Sequence, residues 1–303
     1  MKAELDCYLC IMSQVVRVTK EATPDEALQH RVFQEALRLV SECPAGTWPP
    51  ELLQRVYRLV LEGTGNVDPY CDKKQKANTA AMEIYPRLKD MVANASDPLL
   101  MACKLAIAGN SLDLVFPTPE PDPETLLDVA LAMPFAMNDY AEFQAGLEST
   151  PLILYLGDNA GEVVFDRVLI EEIQKVSRGE VYFAVRGKPI MNDVTLDDAY
   201  FVGLDKVCTI IPNGSDAPGT ILRQCSSELR QLYDAAGLIV SKGGANFETL
   251  NEADKNVFFF LRMKCPIQSD SMGAKLGDAV LMKQKGLASG DRNWTGAGDP
   301  PSQ

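Results

Sequence analysis

Histidine is nearly absent from this 303-residue sequence, in which His30 is the only one. A single histidine gives little support to a Ser-His-Asp triad or to a histidine-rich zinc hydrolase site. The 8 cysteines are too sparse for a disulfide scaffold. No apolar run approaches the roughly 20 residues of a membrane span, and the acidic start MKAELDCYLC does not resemble a secretory signal. These absences predict a cytoplasmic protein.

Positive charge is also scarce. The 29 Lys and Arg residues face 42 Asp and Glu residues, which gives a formal net charge of −13. A surface of that sign repels nucleic acid and anionic membranes, so neither is predicted as a partner. The same field repels a phosphorylated metabolite. A protein of this composition that handles one therefore needs local positive charge, from a bound cation or from a few well-placed Lys and Arg side chains.

The first half of the chain has the apolar spacing of helices. Thr23, Pro24 and Glu26 stand where a capping residue, a first-turn proline and a capping-box acid are expected, and they predict a helix start. Pro49-Pro50 predicts another. Further helices are predicted over about 73–91 and 96–109, and none of these helical segments reads as a strand. One more helix is predicted after the proline-rich stretch, up to about residue 147.

From residue 151 onward short apolar runs alternate with helical patterns, which predicts a parallel sheet covered on both faces. The fold class is therefore α/β, with a helical N-terminal region packed on a Rossmann-like sheet domain. Proline-rich residues 116–125 read as a connector. The predicted divisions are 1–148 helical, 149–285 α/β and 286–303 a disordered tail. The predicted strands are 152–156, 181–185, 207–211, 238–240 and 257–261.

Polar and glycine-rich residues follow four of these strands. In open α/β sheets ligands bind outside the carboxyl ends of the strands, so the four segments are expected to meet at one site. Each alone has an ordinary explanation, since Asp, Asn and Gly are common in turns and helix caps. It is the convergence of four that favours a functional site. The segments are 157–162, 186–193, 213–220 and 241–248.

Three side chains at these ends suit a metal. Asp158, Asn159 and Asp193 carry hard oxygen ligands of the kind that Mg²⁺ and Mn²⁺ prefer. Lys242, with Lys188 or Arg186, is predicted to supply the cationic clamp that the acidic surface lacks.

The order of these motifs resembles the damage-control phosphatases, a family long called domain of unknown function 89, in the branch marked by an N-terminal Cys-x-x-Cys. The resemblance covers most of the chain, and no single motif decides it. The matching residues are 7–10, 68–70 with Lys74 and Asn78, 106–113, 157–162, 186–193, 242–248 and 264–266.

The resemblance implies a divalent metal, with Mn²⁺ first and Mg²⁺, Co²⁺ or Ni²⁺ as alternatives, held by Asp158, Asn159 and Asp193. It implies that Lys242 contacts phosphate. It also implies that the substrate is a phosphate ester of a small, often damaged metabolite, such as a sugar phosphate. It implies that Asn110 and Asp113 face the same cleft. The predicted substrate-binding set is completed by Arg186, Lys188, Asp216, Gly243 and Asn246.

The nucleophile is left open by the sequence, although a metal-bound water is favoured because the best carboxylates are engaged as ligands. Glu162 or Asp216 is expected to act as its base. A structural role for Glu162 is an equal alternative, because an acid in the first turn of a helix is favourable to the helix dipole.

Cys7 and Cys10 form a lone Cys-x-x-Cys pair. A zinc site would need further ligands from Cys71, Cys265 or another chain. The leading interpretation is an inert pair packed under a helix.

Two other functions compete with a phosphatase. A nucleotide-cofactor enzyme such as a methyltransferase or dehydrogenase also uses a strand, a glycine-rich turn and a helix. Here the first turn lacks the G-x-G-x-x-G spacing. The second alternative is a metabolite-binding protein that kept the fold and lost turnover. Oligomeric state is left open by the sequence.

Overall fold

The computed structural model describes residues 1–110, 127–128 and 134–284. The proline-rich connector and the predicted tail lie outside these residues. The chain begins with a helical region, as the apolar spacing predicts. Its helices are α1 (Leu5–Ala22), α2 (Glu26–Ser41), α3 (Pro49–Thr64), α4 (Cys71–Ala93) and α5 (Pro98–Gly109).

The start of α2 differs from the prediction. The capping residue is Asp25, whose Oδ1 accepts hydrogen bonds from the backbone N–H groups of Ala27 and Leu28, at 2.9 and 3.1 Å. Thr23 acts one step earlier, where its hydroxyl accepts from the N–H of Asp25 at 3.2 Å. The prediction of Thr23 as the cap was wrong because an aspartate two residues later is an equally strong cap and lies against the first helical N–H groups.

The remainder of the described chain alternates strands and helices, with two short 3-10 turns at Leu204–Lys206 and Leu222–Gln224. The strands are β1 (Phe135–Asn138), β2 (Leu152–Leu156), β3 (Glu180–Val185), β4 (Thr209–Pro212), β5 (Leu238–Lys242), β6 (Val257–Arg262) and β7 (Ala279–Lys283). The helices are α6 (Tyr140–Ser149), α7 (Glu162–Val176), α8 (Leu196–Phe201), α9 (Ser227–Ala235), α10 (Gly243–Leu250) and α11 (Pro266–Met272).

The seven strands form one sheet in the order β1-β7-β6-β5-β2-β3-β4. Every pairing is parallel except that of β6 with β7. The predicted α/β class with a helical N-terminal region is thus confirmed. The five predicted strands correspond to β2–β6, which are adjacent in the sheet and pair with one another only in parallel.

Two strands were not predicted. β1 lies in the stretch before residue 147 that was predicted to be helical, so that prediction was wrong for these four residues. It has only four residues, alternately half-buried and exposed, and is too short to show a period. It is held by pairing with β7, near the opposite end of the chain. The division at residue 148 stays a prediction, although α6 crosses it.

The sheet separates two apolar layers. Successive residues of a strand point to opposite faces, and in β2 Ile153 and Tyr155 join the layer that contains α5 and α7, whereas Leu154 and Leu156 join the layer on the other side. A third apolar cluster lies among α1, α2 and α3. Within the described ranges every helix falls short of the length or the apolar content that crossing a bilayer demands.

Substitution of Phe143, on α6, tests how much the packing of this helix on the sheet contributes to stability. Its ring packs edge-on against Phe258 and Phe260 of β6, with centroids 5.3 and 5.1 Å away. Phe143→Ala is expected to lower the free energy of unfolding by about 3–5 kcal/mol, because it removes a buried ring and leaves a cavity. Urea denaturation measures this. The matched control is Phe201→Ala, at a ring that is 52% exposed; equal losses for the two variants would contradict the packing.

Candidate active site

A cavity of about 360 Å³ opens at the carboxyl edge of the sheet. One part of its wall comes from the segments that follow the strands, and the other comes from α1 and the start of α3. Of the residues predicted for the site, Asn110, Asp158, Asn159 and Asp193 line this cavity. The convergence expected from the strand ends therefore occurs for the proposed metal ligands.

Backbone hydrogen bonds join the two segments that carry these ligands. Asn159, after β2, and Asp193, after β3, form an isolated antiparallel bridge. The N–H of Val194 donates to the carbonyl of Asp158 at 2.8 Å, and the N–H of Ala160 donates to the carbonyl of Asn192 at 2.9 Å. The three predicted ligands thus lie on two cross-linked loops, so their backbone positions are fixed before any ligand binds.

Two amides join two carboxylates at the floor of the cavity. The Nδ2 of Asn110 donates to Asp158 Oδ2 at 3.0 Å and to Glu162 Oε2 at 2.9 Å. The Nδ2 of Asn159 donates to the same two oxygens at 2.9 and 3.1 Å. Because both amide nitrogens are turned toward the carboxylates, the carbonyl oxygen of Asn159 is turned away from them. Glu162 thereby sets the orientation of a predicted metal ligand.

Lys242 lies beneath this arrangement and is completely buried. Its Nζ donates to Glu162 Oε1 at 2.6 Å, to the carbonyl of Ala106 at 2.9 Å, and to Asp166 Oδ1. Burial alone would lower the pKa of Lys242, but the carboxylates of Asp166 and Glu162 hold that pKa above its ordinary value. The predicted contact between Lys242 and phosphate stays a prediction. In this structure the ammonium group binds carboxylates and does not line the cavity.

Asp166 completes the buried network. It is fully buried, and the hydroxyl of Tyr155 donates to its Oδ1 at 2.6 Å. Burial raises the pKa of Asp166 to about 6, against the opposing effect of Lys242. One ammonium group therefore serves two carboxylates in a region without solvent, which makes the lysine essential to their charge balance.

Arg186 was expected in the cationic clamp, but it is 3% exposed and its Nε donates to Asp193 Oδ2 at 2.6 Å. It therefore acts as the counter-ion of a predicted metal ligand. Lys188 is exposed and is not brought to the cavity.

Asp216 and Asn246 also lie away from the cavity wall. Asp216 accepts from Arg58 Nε and Nη2 at 2.6 and 2.5 Å, and from Gln54 at 2.6 Å, so its carboxylate ties α3 to the loop after β4. Asn246 is buried and donates to the carbonyl of Gly157 at 3.1 Å. Asp113 lies outside the described residues.

Gly243 has a steric role beside the site. A Cβ atom at this position would lie 1.9 Å from Asp158 Oδ2, and the residue has φ +74°. Both observations require glycine, because an L side chain would displace the carboxylate and strain the backbone.

Arg262 and Lys264 line the cavity, but the sequence analysis gave neither a role at the site and noted Lys264 only within a matching motif. They follow β6, which was correctly predicted as the fifth apolar run. The signal was present, because the same rule about strand ends that selected the other four segments applies to this one. Glu248 was noted only within a motif, and it too lines the cavity. Burial raises the pKa of Glu248 to about 7.

The Cys-x-x-Cys pair opens onto the same cavity. Cys7 and Cys10 of α1 line it together with Cys265, which immediately precedes α11. Burial raises the pKa of all three thiols, so they are held in the protonated form. Cys71 is exposed on α4. Within the described ranges no group of three or more His, Cys, Asp or Glu side chains is arranged to hold a metal ion.

The donor set at the floor nevertheless suits a hard divalent cation. It combines two carboxylates, Asp158 and Asp193, with the amide of Asn159, and all three side chains line the cavity. Oxygen donors from a partial set of protein ligands, with space for water and substrate, are typical of Mg²⁺ and Mn²⁺ sites that also bind phosphate.

The chain is similar to known proteins over most of its length. A family model described as the damage-control phosphatase ARMT1-like domain matches residues 3–280. A damage-control phosphatase of Pyrococcus horikoshii is 31% identical over 287 residues, covering 94% of this chain and 99% of the relative. A damage-control phosphatase of Archaeoglobus fulgidus is 32% identical over 286 residues, covering 92% and 98%.

An uncharacterized protein of Methanocaldococcus jannaschii is 33% identical over 294 residues, covering 94% of this chain and 96% of its own. Among solved structures, the crystal structure of a DUF89 family protein from Pyrococcus horikoshii superposes with a TM-score of 0.87 at 30% identity. It covers 94% of this chain and 100% of that one.

Removing Lys242 tests the buried charge network. Lys242→Met is expected to lower the free energy of unfolding by about 3–5 kcal/mol, because Glu162 and Asp166 lose the ammonium group that balances them. Chemical denaturation measures this. The matched control is Lys283→Met, at a pair with Glu142 whose side chains are 38% and 58% exposed, where a loss of no more than about 1 kcal/mol is expected. A similarly small loss at Lys242 would contradict the network.

Glu248 should make stability depend on pH. Its pKa is raised to about 7 from an ordinary value of 4.5, so the folded state favours the protonated form. The stability that the folded protein gains by holding Glu248 protonated is fully present below about pH 4.5, and it is lost as the pH rises through about 7. Between pH 5 and pH 8 the Tm of Glu248→Gln should therefore fall less than the Tm of the parent. Each kcal/mol of free energy of unfolding corresponds to a shift of about 2–4 °C in Tm. Glu252→Gln, at an exposed position, is the control; parallel curves for parent and Glu248→Gln would refute the shift.

Proposed function

The chain belongs to the damage-control phosphatase ARMT1-like family, and from that premise we propose that it is a metal-dependent phosphatase. Its reaction is the hydrolysis of phosphate monoesters of small metabolites, including damaged ones. The observation that carries the metal dependence is that Asp158, Asn159 and Asp193 line one cavity on two cross-linked loops. The family relatives named as damage-control phosphatases support the phosphatase activity.

The proposed ligands are the carboxylates of Asp158 and Asp193 and the amide oxygen of Asn159. A divalent cation held there would offset the charge of the phosphoryl oxygens and lower the pKa of a water. Mn²⁺ is the first candidate, with Mg²⁺, Co²⁺ and Ni²⁺ as alternatives, since oxygen ligands accept all four.

The chain's own residues give these ligands their geometry. Asn110 reaches from the end of α5 and donates to Asp158, which fixes the rotation of that carboxylate. Arg186 does the same for Asp193 through its Nε. Lys242 holds Glu162 in place, and Glu162 orients the amide of Asn159. We therefore assign Lys242 and Glu162 to positioning the ligand set, and the attacking nucleophile is a water in the cavity.

The substrate in this proposal is a small phosphorylated metabolite, with sugar phosphates among the compounds to be tested. A cavity of about 360 Å³ accommodates a molecule of that size. The protein is proposed to act in the cytoplasm and to need neither nucleic acid nor a membrane, as its charge of −13 suggests.

Hydrolysis of p-nitrophenyl phosphate tests the function. Activity should be abolished by EDTA and restored by Mn²⁺. Asp158→Asn should lower kcat/KM by about a hundredfold or more, since the carboxylate contributes a share of the several kcal/mol that a bound cation provides. The same variant should bind Mn²⁺ more weakly in calorimetry.

The control for this substitution is Asp205→Asn, which removes an acid from an exposed position that does not line the cavity. Full activity of Asp158→Asn in EDTA would end the metal-dependent proposal. Binding of NAD or S-adenosylmethionine without hydrolysis would instead favour the nucleotide-cofactor enzyme. Metabolite binding without turnover would favour the non-catalytic alternative.

A further inference from the structure

A buried polar cluster on α4 lies outside the cavity wall. It consists of Asp68, which precedes α4, of Lys74 and Asn78 on that helix, and of Asp198 on α8. Lys74, Asn78 and Asp198 are 3%, 1% and 7% exposed. Polar side chains buried to this degree cost free energy unless they bind one another, so their partners show what the cluster does.

Ion pairing and one hydrogen bond fix the carboxylate of Asp198. Lys74 Nζ lies 3.3 Å from Asp198 Oδ2 and 3.0 Å from Asp68 Oδ2. Asn78 Nδ2 donates to Asp198 Oδ1 at 2.8 Å. Both oxygen atoms of this carboxylate are therefore held from α4, and its orientation cannot change without breaking a buried contact.

Asn78 also holds the first of the two loops that carry the proposed metal ligands. Its Oδ1 accepts from the backbone N–H of Gly161 at 2.6 Å, and Gly161 follows closely on Asp158 and Asn159 in the turn after β2. This turn packs directly on α4, because a Cβ atom at Gly161 would lie 3.1 Å from the Cβ of Ala77. The position of the turn is thus set by α4 as well as by the loop beside it.

Asp198 holds the second ligand loop. Its Oδ2 accepts from the N–H and the hydroxyl of Thr195, at 2.9 and 2.7 Å, and Thr195 lies two residues after Asp193. These bonds are also those of a capping box at the start of α8. A capping box, however, has no need of Asn78, whose amide joins this carboxylate to the other loop.

We infer that Asn78 and Asp198 form a positioning pair, which sets the distance between the two loops that carry the proposed metal ligands. The chain of contacts runs from Gly161 through this pair to Thr195. The inference rests on the proposed metal-dependent function, and it adds residues that act through the ligands from outside the cavity wall. Groups that orient metal ligands in this way typically contribute a factor of about 10–100 to metal affinity.

Calorimetric titration with Mn²⁺ alone, without substrate, tests the positioning pair. Asn78→Ala should raise the Kd for Mn²⁺ about tenfold or more, because the turn with Asp158 and Asn159 loses its anchor on α4. The matched control is Tyr85→Phe, on the same helix, which removes a hydroxyl that donates to Glu171 of α7. This control should leave the Kd unchanged, because that hydrogen bond holds neither ligand loop.

Swapping the two side chains tests whether the pair itself is responsible. Asn78→Asp sets two carboxylates against each other. Asp198→Asn adds a donor where Lys74, Asn78 and Thr195 already donate. Each single substitution should therefore weaken Mn²⁺ binding. Combining the two restores one donor and one acceptor between the positions, so the double variant should bind Mn²⁺ more tightly than either single variant.

All variants are to be compared at a temperature at which circular dichroism shows them folded. If the parent binds Mn²⁺ and Asn78→Ala binds it equally tightly, the inference is overturned and the proposed function stands. A double variant that binds no more tightly than the single ones also overturns the inference, and this comparison decides the question if Asn78→Ala does not fold. A parent that binds no Mn²⁺ would refute the proposed metal dependence and, with it, the positioning of a ligand set.

Discussion

The buried ammonium group of Lys242 is the constraint on which the site depends. It lies between Glu162 and Asp166, with all three side chains buried, and it holds the glutamate in place beneath the cavity through an ion pair. That glutamate in turn holds the nitrogen atoms of two asparagine amides, and one of these amides belongs to the expected ligand set. The orientation of the amides at the floor of the cavity therefore depends on buried ion pairs that lie beneath the floor, in a medium of low polarity.

The central sheet was predictable because its strands are buried on both faces and read as continuous apolar runs. The helix α7 and the strand β2 fell where the pattern placed them. Asp158 and Asp193, the proposed metal ligands, could also be placed at the cavity, since the rule that ligands bind at the carboxyl ends of parallel strands needs only strand positions. Local periodicity and one topological rule therefore gave the fold class and the floor of the site.

The remaining features depend on contacts between distant parts of the chain. β1 is a strand only because β7 pairs with it, and four residues carry no usable period. Lys242 is read as a surface or ligand-binding lysine until the fold surrounds it with carboxylates. The convergence of Cys7 and Cys265 on one cavity joins residues from opposite ends of the sequence. These contacts between distant residues arise from the tertiary packing, and a single sequence does not reveal them.

The cavity is built from two parts of the chain with different tolerance to change. On the sheet side, Gly243 touches Asp158 so closely that no other residue fits, and the neighbouring side chains share hydrogen bonds. On the helix side, α1 and α3 contribute mainly apolar groups such as Ile11 and Leu53. Substitutions in the helices can therefore reshape the apolar wall of the cavity, while the hydrogen-bonded groups on the sheet side keep their positions.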